Sequence, residues 1–160
     1  MNELVARASE GEMIRRRLHN TLQELRGNLR VIARVRPLLV SDRTSNPLPA
    51  VWCEDESTVC VRYKEKVQKF AFDGAFGTDS TQDEVFDEVS NFVQSALDGY
   101  NVCLFTYGQT GSGKTYTMQG VGEGDERGIV PRAIEKIIEA NRTAADTLSL
   151  DMPVGDEEDT

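Results

Sequence analysis

The segment Gly108-Gln-Thr-Gly-Ser-Gly113-Lys114-Thr115 constrains this chain more than any other. It satisfies the pattern G-x-x-x-x-G-K-[ST], in which glycines let the backbone turn tightly and aim successive N–H groups at anionic oxygens. Gly108, Gly111 and Gly113 form a cradle for phosphate, with Gln109, Thr110 and Ser112 completing the loop. Lys114 brings a full positive charge to the outer phosphates of a nucleotide, and Thr115 offers a hydroxyl to Mg²⁺. A helix opening near Lys114 adds about half a unit of positive charge at its N-terminus. Such a loop needs a strand before it and a helix after it. Val102 to Tyr107 is a mostly apolar run of the kind buried on both faces of a parallel sheet, and Thr115 to Gln119 begins a helix.

Upstream, the pattern changes period several times. From Arg15 to Arg30 there is no proline, and Leu18, Leu22, Leu25 and Leu29 are spaced 4, 3 and 4 apart, a short coiled-coil seam before Gly27-Asn28 breaks the helix. Two arrangements suit it: pairing with a second helix, or one amphipathic helix lying on its own domain. Leu29 to Val35 then alternates Leu29, Val31, Ala33 and Val35 with Arg30, Arg34 and Arg36 before Pro37 stops it, which reads as a strand. Leu38 to Ala50 reads as a loop, and Val51 to Cys53, Thr58 to Tyr63 and Val67 to Phe72 as a small antiparallel meander. Thr81-Gln-Asp-Glu84 has capping-box form and opens a helix placing Val85, Phe86, Val89, Phe92, Val93, Ala96 and Leu97 on one face, ending near Gly99. After an interruption at Gly120 to Gly128, Pro131 suits the first turn of a resumed helix carrying Ile134, Ile137 and Ile138. Residues 155 to 160 are acidic and expected to be disordered.

Composition narrows the chemistry. His19 is the one histidine, which excludes multi-histidine metal sites, and Cys53, Cys60 and Cys103 are too few and too irregular for a disulfide framework. Net charge is -9, with eight arginines and four acids in residues 1 to 36, against ten bases and twenty-three acids in the remainder. The acidic body repels nucleic-acid phosphate and anionic lipid, so neither is expected as a partner. No apolar run approaches the roughly 20 residues that span a bilayer, and Met1 to Gly11 lacks a secretory apolar stretch, so the expected location is the cytoplasm.

Several segments together resemble the kinesin motor domain family: Arg34-Val-Arg-Pro37, Ala71-Phe-Asp-Gly-Ala-Phe76, Gly99-Tyr-Asn-Val102, Tyr107 through Met118, and Gly128-Ile-Val-Pro-Arg-Ala133. The resemblance covers roughly residues 28 to 144. It implies an α/β, P-loop NTPase-type mixed sheet with flanking helices, an incomplete motor core preceded by a short neck helix. Its implied divisions are 1–28 for the neck helix or short coiled coil, 29–150 for a partial motor domain, and 151–160 for an acidic tail. It further implies ATP and Mg²⁺ as ligands. Arg34, Arg36 and Pro37 would lie near adenine and ribose, and Tyr116 would stack on the other face of the base. A solvated strand face for the arginines and ordinary helix packing for Tyr116 are the alternatives. The neck resembles that of the C-terminal-motor, minus-end-directed class, with Arg15, Arg16 and Arg17 either meeting an acidic microtubule surface or solvated.

The family is a microtubule-stimulated ATPase of the cytoskeleton. Its two switches, resembling N-x-x-S-S-R-S-H and D-L-A-G-S-E, do not occur in these 160 residues. Asp125-Glu-Arg-Gly128 matches D-x-x-G formally but lies in a polar loop, and Asp151 follows a run, Leu148-Ser-Leu150, too short and half polar for a magnesium-bearing strand. No catalytic residue is therefore assigned. The chain is expected to bind nucleotide more than hydrolyse it, and to hold microtubules weakly or not at all. The other expectation is a non-hydrolysing module that pairs with another kinesin chain through its neck helix.

Overall fold

The computed structural model describes residues 2–27, 29–38 and 49–150. Residues 39–48 of the loop read over Leu38 to Ala50, and the acidic tail 151–160 with Asp151, lie outside the described residues. The architecture is α/β, with a parallel strand pair, an antiparallel meander and flanking helices.

Helix α1 (Asn2–Arg26) begins well before the leucine seam. Its first half is built of helix formers such as Glu3, Ala6, Arg7, Ala8 and Glu10, and Glu12 pairs with Arg15 at 2.8 Å and Arg16 at 3.0 Å, one turn on. Gly27, at φ 99°, ends it by donating its N–H to the Glu24 carbonyl at 3.1 Å. The face that docks is the polar one. Arg15 pairs with Asp98 at 2.8 Å, the His19 Nε2 lies 3.1 Å from Ser95 Oγ, and Asn20 is buried. Leu18, Leu22 and Leu25 are left outward, 61%, 58% and 79% exposed.

Strand β1 (Ile32–Arg34) runs parallel to β5 (Gly74–Phe76), with Ile32 opposite Gly74 and Arg34 opposite Phe76. Ile32 packs on the core, while Val31 and Leu29 are exposed. A strand of a parallel sheet is covered on both faces, so alternation does not single out a core side. The arginines beside Ile32 are held by partners: Arg30 lies over the Phe92 ring, 4.1 Å from its centroid, and pairs with Glu88 at 3.3 Å.

The meander forms where its β-branched and aromatic residues alternate, as β2 (Val51–Cys53), β3 (Thr58–Tyr63) and β4 (Lys66–Ala71). Helix α2 (Gln82–Leu97) starts with the capping box legible in sequence: the Thr81 hydroxyl accepts from the Glu84 N–H, and the Glu84 carboxylate accepts from the Thr81 N–H. Its residues Val85 and Val89, with Ile129, form the buried core, against which Ile32, Phe76, Phe86, Phe92 and Met118 pack.

One expectation is corrected. Residues 102–107 form no strand among the described residues, and Phe105 and Tyr107 are 73% and 96% exposed. A parallel strand takes its hydrogen bonds from neighbouring strands, and among the described residues none pairs with this run. Helix α4 (Ile129–Leu150) extends through Leu148-Ser-Leu150, in agreement with the reading that this run is no magnesium-bearing strand. Between them sits a one-turn helix, α3 (Lys114–Met118).

Candidate nucleotide-binding site

The loop from Gly108 to Gly113 feeds directly into α3. Gly113 caps that helix at φ 95°, and Gly111 sits at φ 80°, both in the left-handed region where a β-carbon costs about 1–2 kcal/mol. A β-carbon on Gly108 would fall 2.5 Å from Ser112 Oγ, so the two ends of the loop close on each other. Within this turn Ser112 donates its N–H to the Gln109 carbonyl at 3.2 Å. Lys114 folds back over it: Nζ donates to the carbonyls of Gly108 and Gln109, 2.8 Å each. The ammonium is thereby fixed at the mouth of the loop, where an anion would meet it.

Thr115 is exposed one residue further on, and its carbonyl accepts from the N–H groups of Gln119 and Gly120 at 2.8 and 3.3 Å. Gln109, Thr110 and Gly111 are exposed along the rim. Because α3 has five residues, its dipole is a smaller source of positive charge than the half unit of a long helix. The local N–H groups and Lys114 carry most of the attraction for anions.

Beside the loop lies a second group. Arg34 sends Nη1 to Gln82 Oε1 at 2.9 Å and Thr117 Oγ1 at 3.0 Å, and Nη2 to the Ser80 carbonyl at 3.3 Å. Its guanidinium lies 5.2 Å from the Tyr116 ring centroid, a cation–π distance. Burial lowers the Arg34 pKa, although a guanidinium remains charged. The Tyr116 hydroxyl donates to the Glu126 carboxylate, and this bond, followed by burial, pushes the phenol above its ordinary range. Arg36 runs its stem past the loop, with Cδ 3.9 Å from where a Gly113 β-carbon would stand. Pro37 is exposed where the chain leaves β1.

The structure therefore brings Arg34 to Tyr116 and Arg36 to Gly113, and ties Lys114 to Gly108 and Gln109. Among the described residues no His, Cys, Asp or Glu cluster suits a metal ion. The residues fit a magnesium nucleotide: Gly111 and Gly113 hold the loop in the left-handed region, Lys114 stands at its mouth, and Tyr116 presents a partly exposed ring. Sequence reasoning missed Gln82, Ser80, Thr117 and Glu126. Gln82 had registered only as the residue after the cap, and Glu126 only as part of a polar loop.

The chain is similar to known proteins. The family model described as microtubule binding matches residues 8–152. Kinesin-like protein KIN-14C of Arabidopsis thaliana is 47% identical over 140 residues, 84% of this chain and 18% of that protein. Kinesin-like protein KIFC1 of Rattus norvegicus is 45% identical over 148 residues, 79% of this chain and 21% of that protein. Among solved structures, the C-terminal motor and motor homology domain of Kar3Vik1, fused to a synthetic heterodimeric coiled coil, is similar with a TM-score of 0.77. The identity is 41%, and the match covers 89% of this chain and 39% of that one. A fast kinesin is similar with a TM-score of 0.63 at 38% identity, over 68% of this chain and 32% of that one. The chain spans about a fifth of the length of the curated relatives it matches. On the residues matched and the fold shared, this chain belongs to the kinesin motor domain family.

Proposed function

We propose that this chain is the nucleotide-binding part of a kinesin-like microtubule motor, with residues 1–28 as its neck and 29–150 as part of its motor domain. The observation that carries the reading is the Lys114 ammonium held across the carbonyls of Gly108 and Gln109 at the mouth of a glycine cradle. ATP with Mg²⁺ is the ligand class this donor set suits. Backbone N–H groups and Lys114 would hold the phosphates, the Thr115 hydroxyl would be offered to the metal, and Tyr116 with Arg34, Arg36 and Pro37 would flank the base. A bound magnesium nucleotide supplies the phosphoanhydride whose cleavage powers a motor. The residues of this chain bind and orient that group. With neither switch motif in the sequence, these 160 residues supply binding more than hydrolysis. The working location is the microtubule cytoskeleton, with weak or absent microtubule contact for this segment alone. Equilibrium binding of MgADP to the wild-type chain and to Lys114→Ala tests the reading: loss of binding in the variant supports it, and unchanged binding removes it.

A second reading is favoured by the exposed leucines of α1. With its polar face on α2, the helix presents Leu18, Leu22 and Leu25 outward, a seam suited to pairing with another kinesin chain.

A further inference from the structure

We propose that Gln82 is the positioning residue of the nucleotide site, setting its base side, Arg34 and Tyr116, against the phosphate loop; the inference rests on the nucleotide-binding reading above. Gln82 opens α2 and is 3% exposed. A buried amide must satisfy both its ends, and this one does so by joining three other elements. Its Oε1 accepts from Arg34 on β1 at 2.9 Å. Its Nε2 donates to the carbonyl of Tyr116 on α3 at 2.8 Å and, at 3.4 Å, to the carbonyl of Glu126 in the loop before α4.

The group it organises is closed on itself. Arg34 also reaches Thr117 Oγ1 on α3 and lies over the Tyr116 ring, and the Tyr116 hydroxyl meets the Glu126 side chain. Gln82 thus holds the backbone carbonyls of Tyr116, which bears the ring, and of Glu126, whose carboxylate takes the ring hydroxyl. No other side chain of similar size does this. A glutamate has acceptors only and would set an oxygen against two carbonyls, and a methionine has no donor to offer. The phosphate cradle, in contrast, is held by its own bonds: Lys114 to Gly108 and Gln109, and Thr117 N–H to the Gly113 carbonyl at 2.9 Å. Gln82 makes no hydrogen bond to that cradle among the described residues. Loss of its amide therefore separates base recognition from phosphate recognition.

The test is calorimetric titration of the full 160-residue chain with MgADP and, separately, magnesium pyrophosphate, for wild type, Gln82→Met and Gln82→Glu. Circular dichroism checks folding. Both variants are expected to weaken MgADP by about tenfold or more while pyrophosphate affinity stays at the wild-type value. Equal losses for both ligands, or failure of both variants to fold, would make Gln82 a purely structural residue and overturn the proposal, as would unchanged MgADP affinity. If wild type binds neither ligand, the nucleotide reading falls and takes this inference with it. If Lys114→Ala abolishes binding of both ligands while Gln82→Met binds as wild type, only the inference about Gln82 falls.

Discussion

The Tyr116 hydroxyl donates to the Glu126 carboxylate, joining the helix that follows the glycine loop to the segment ten residues on. The phenolate is disfavoured beside that carboxylate, so the Tyr116 pKa is raised. The neutral phenol is the form the fold prefers. Its contribution to stability is thus complete below the ordinary tyrosine value near 10 and is lost as pH rises through the higher folded value. Absorbance titration of the four tyrosines should show one titrating above the ordinary value, and Glu126→Gln should bring it down. Titration of Tyr116 at the ordinary value in the wild type would contradict the contact.

At the other end of the molecule, Glu12 accepts hydrogen bonds from Arg15 and then Arg16, which hold its pKa down to about 2 from the ordinary 4.5. The stability this pairing adds is present above the ordinary value and disappears as pH falls toward 2. Being solvent-exposed, the pairing contributes no more than about 1 kcal/mol. A carboxyl-carbon NMR titration should place the Glu12 midpoint near 2, with Arg15→Ala moving it back toward 4.5. A midpoint already near the ordinary value would mean α1 is not held in this arrangement.

Gly120 and Gly122 both have φ in the left-handed region, at 78° and 63°, but only one is crowded. A β-carbon on Gly120 would stand 2.1 Å from the Glu126 carbonyl oxygen, whereas one on Gly122 would meet nothing within 4 Å. Gly122→Ala should therefore cost about 1 kcal/mol of conformational strain, and Gly120→Ala upwards of about 3 kcal/mol through steric overlap with the returning chain. Denaturant unfolding of the two variants checks this, and equal destabilisation would count against the loop geometry.

Much of this was legible in the sequence because it is local. The Thr81 cap, the meander strands and the glycine loop each depend on residues a few positions apart, and each forms where its pattern lies. What depended on distant partners was not legible. Val102 to Tyr107 has the composition of a central strand, but a strand exists only when other strands pair with it. The inward face of β1 turned on what covers Ile32, which alternation cannot state. Helix α1 reaches back to Asn2 through residues with little apolar periodicity, so pattern reading found only its leucine-bearing half. Gln82 looked like one more polar residue at a helix start. Its importance comes from Arg34, Tyr116 and Glu126, which lie 48, 34 and 44 positions away.

The leucine seam of α1 makes its own prediction. If Leu18, Leu22 and Leu25 pair with a second helix, sedimentation equilibrium should detect reversible self-association that Leu18→Glu with Leu22→Glu abolishes. Because these side chains are exposed, the double variant should leave the thermal unfolding of the body unchanged. Identical mass distributions for wild type and variant would leave α1 as a helix that serves only its own domain.

The most direct test of the central claim is thermal unfolding of the chain by circular dichroism, with and without MgADP, in wild type and Lys114→Ala. At 100 times Kd the nucleotide should add about 2.7 kcal/mol, a rise of several degrees in Tm for a chain of this size. The wild type should show that rise and the variant none at the same concentration. An equal rise in both, or none in the wild type, would contradict the assignment of Gly108 to Thr115 as a nucleotide-binding loop.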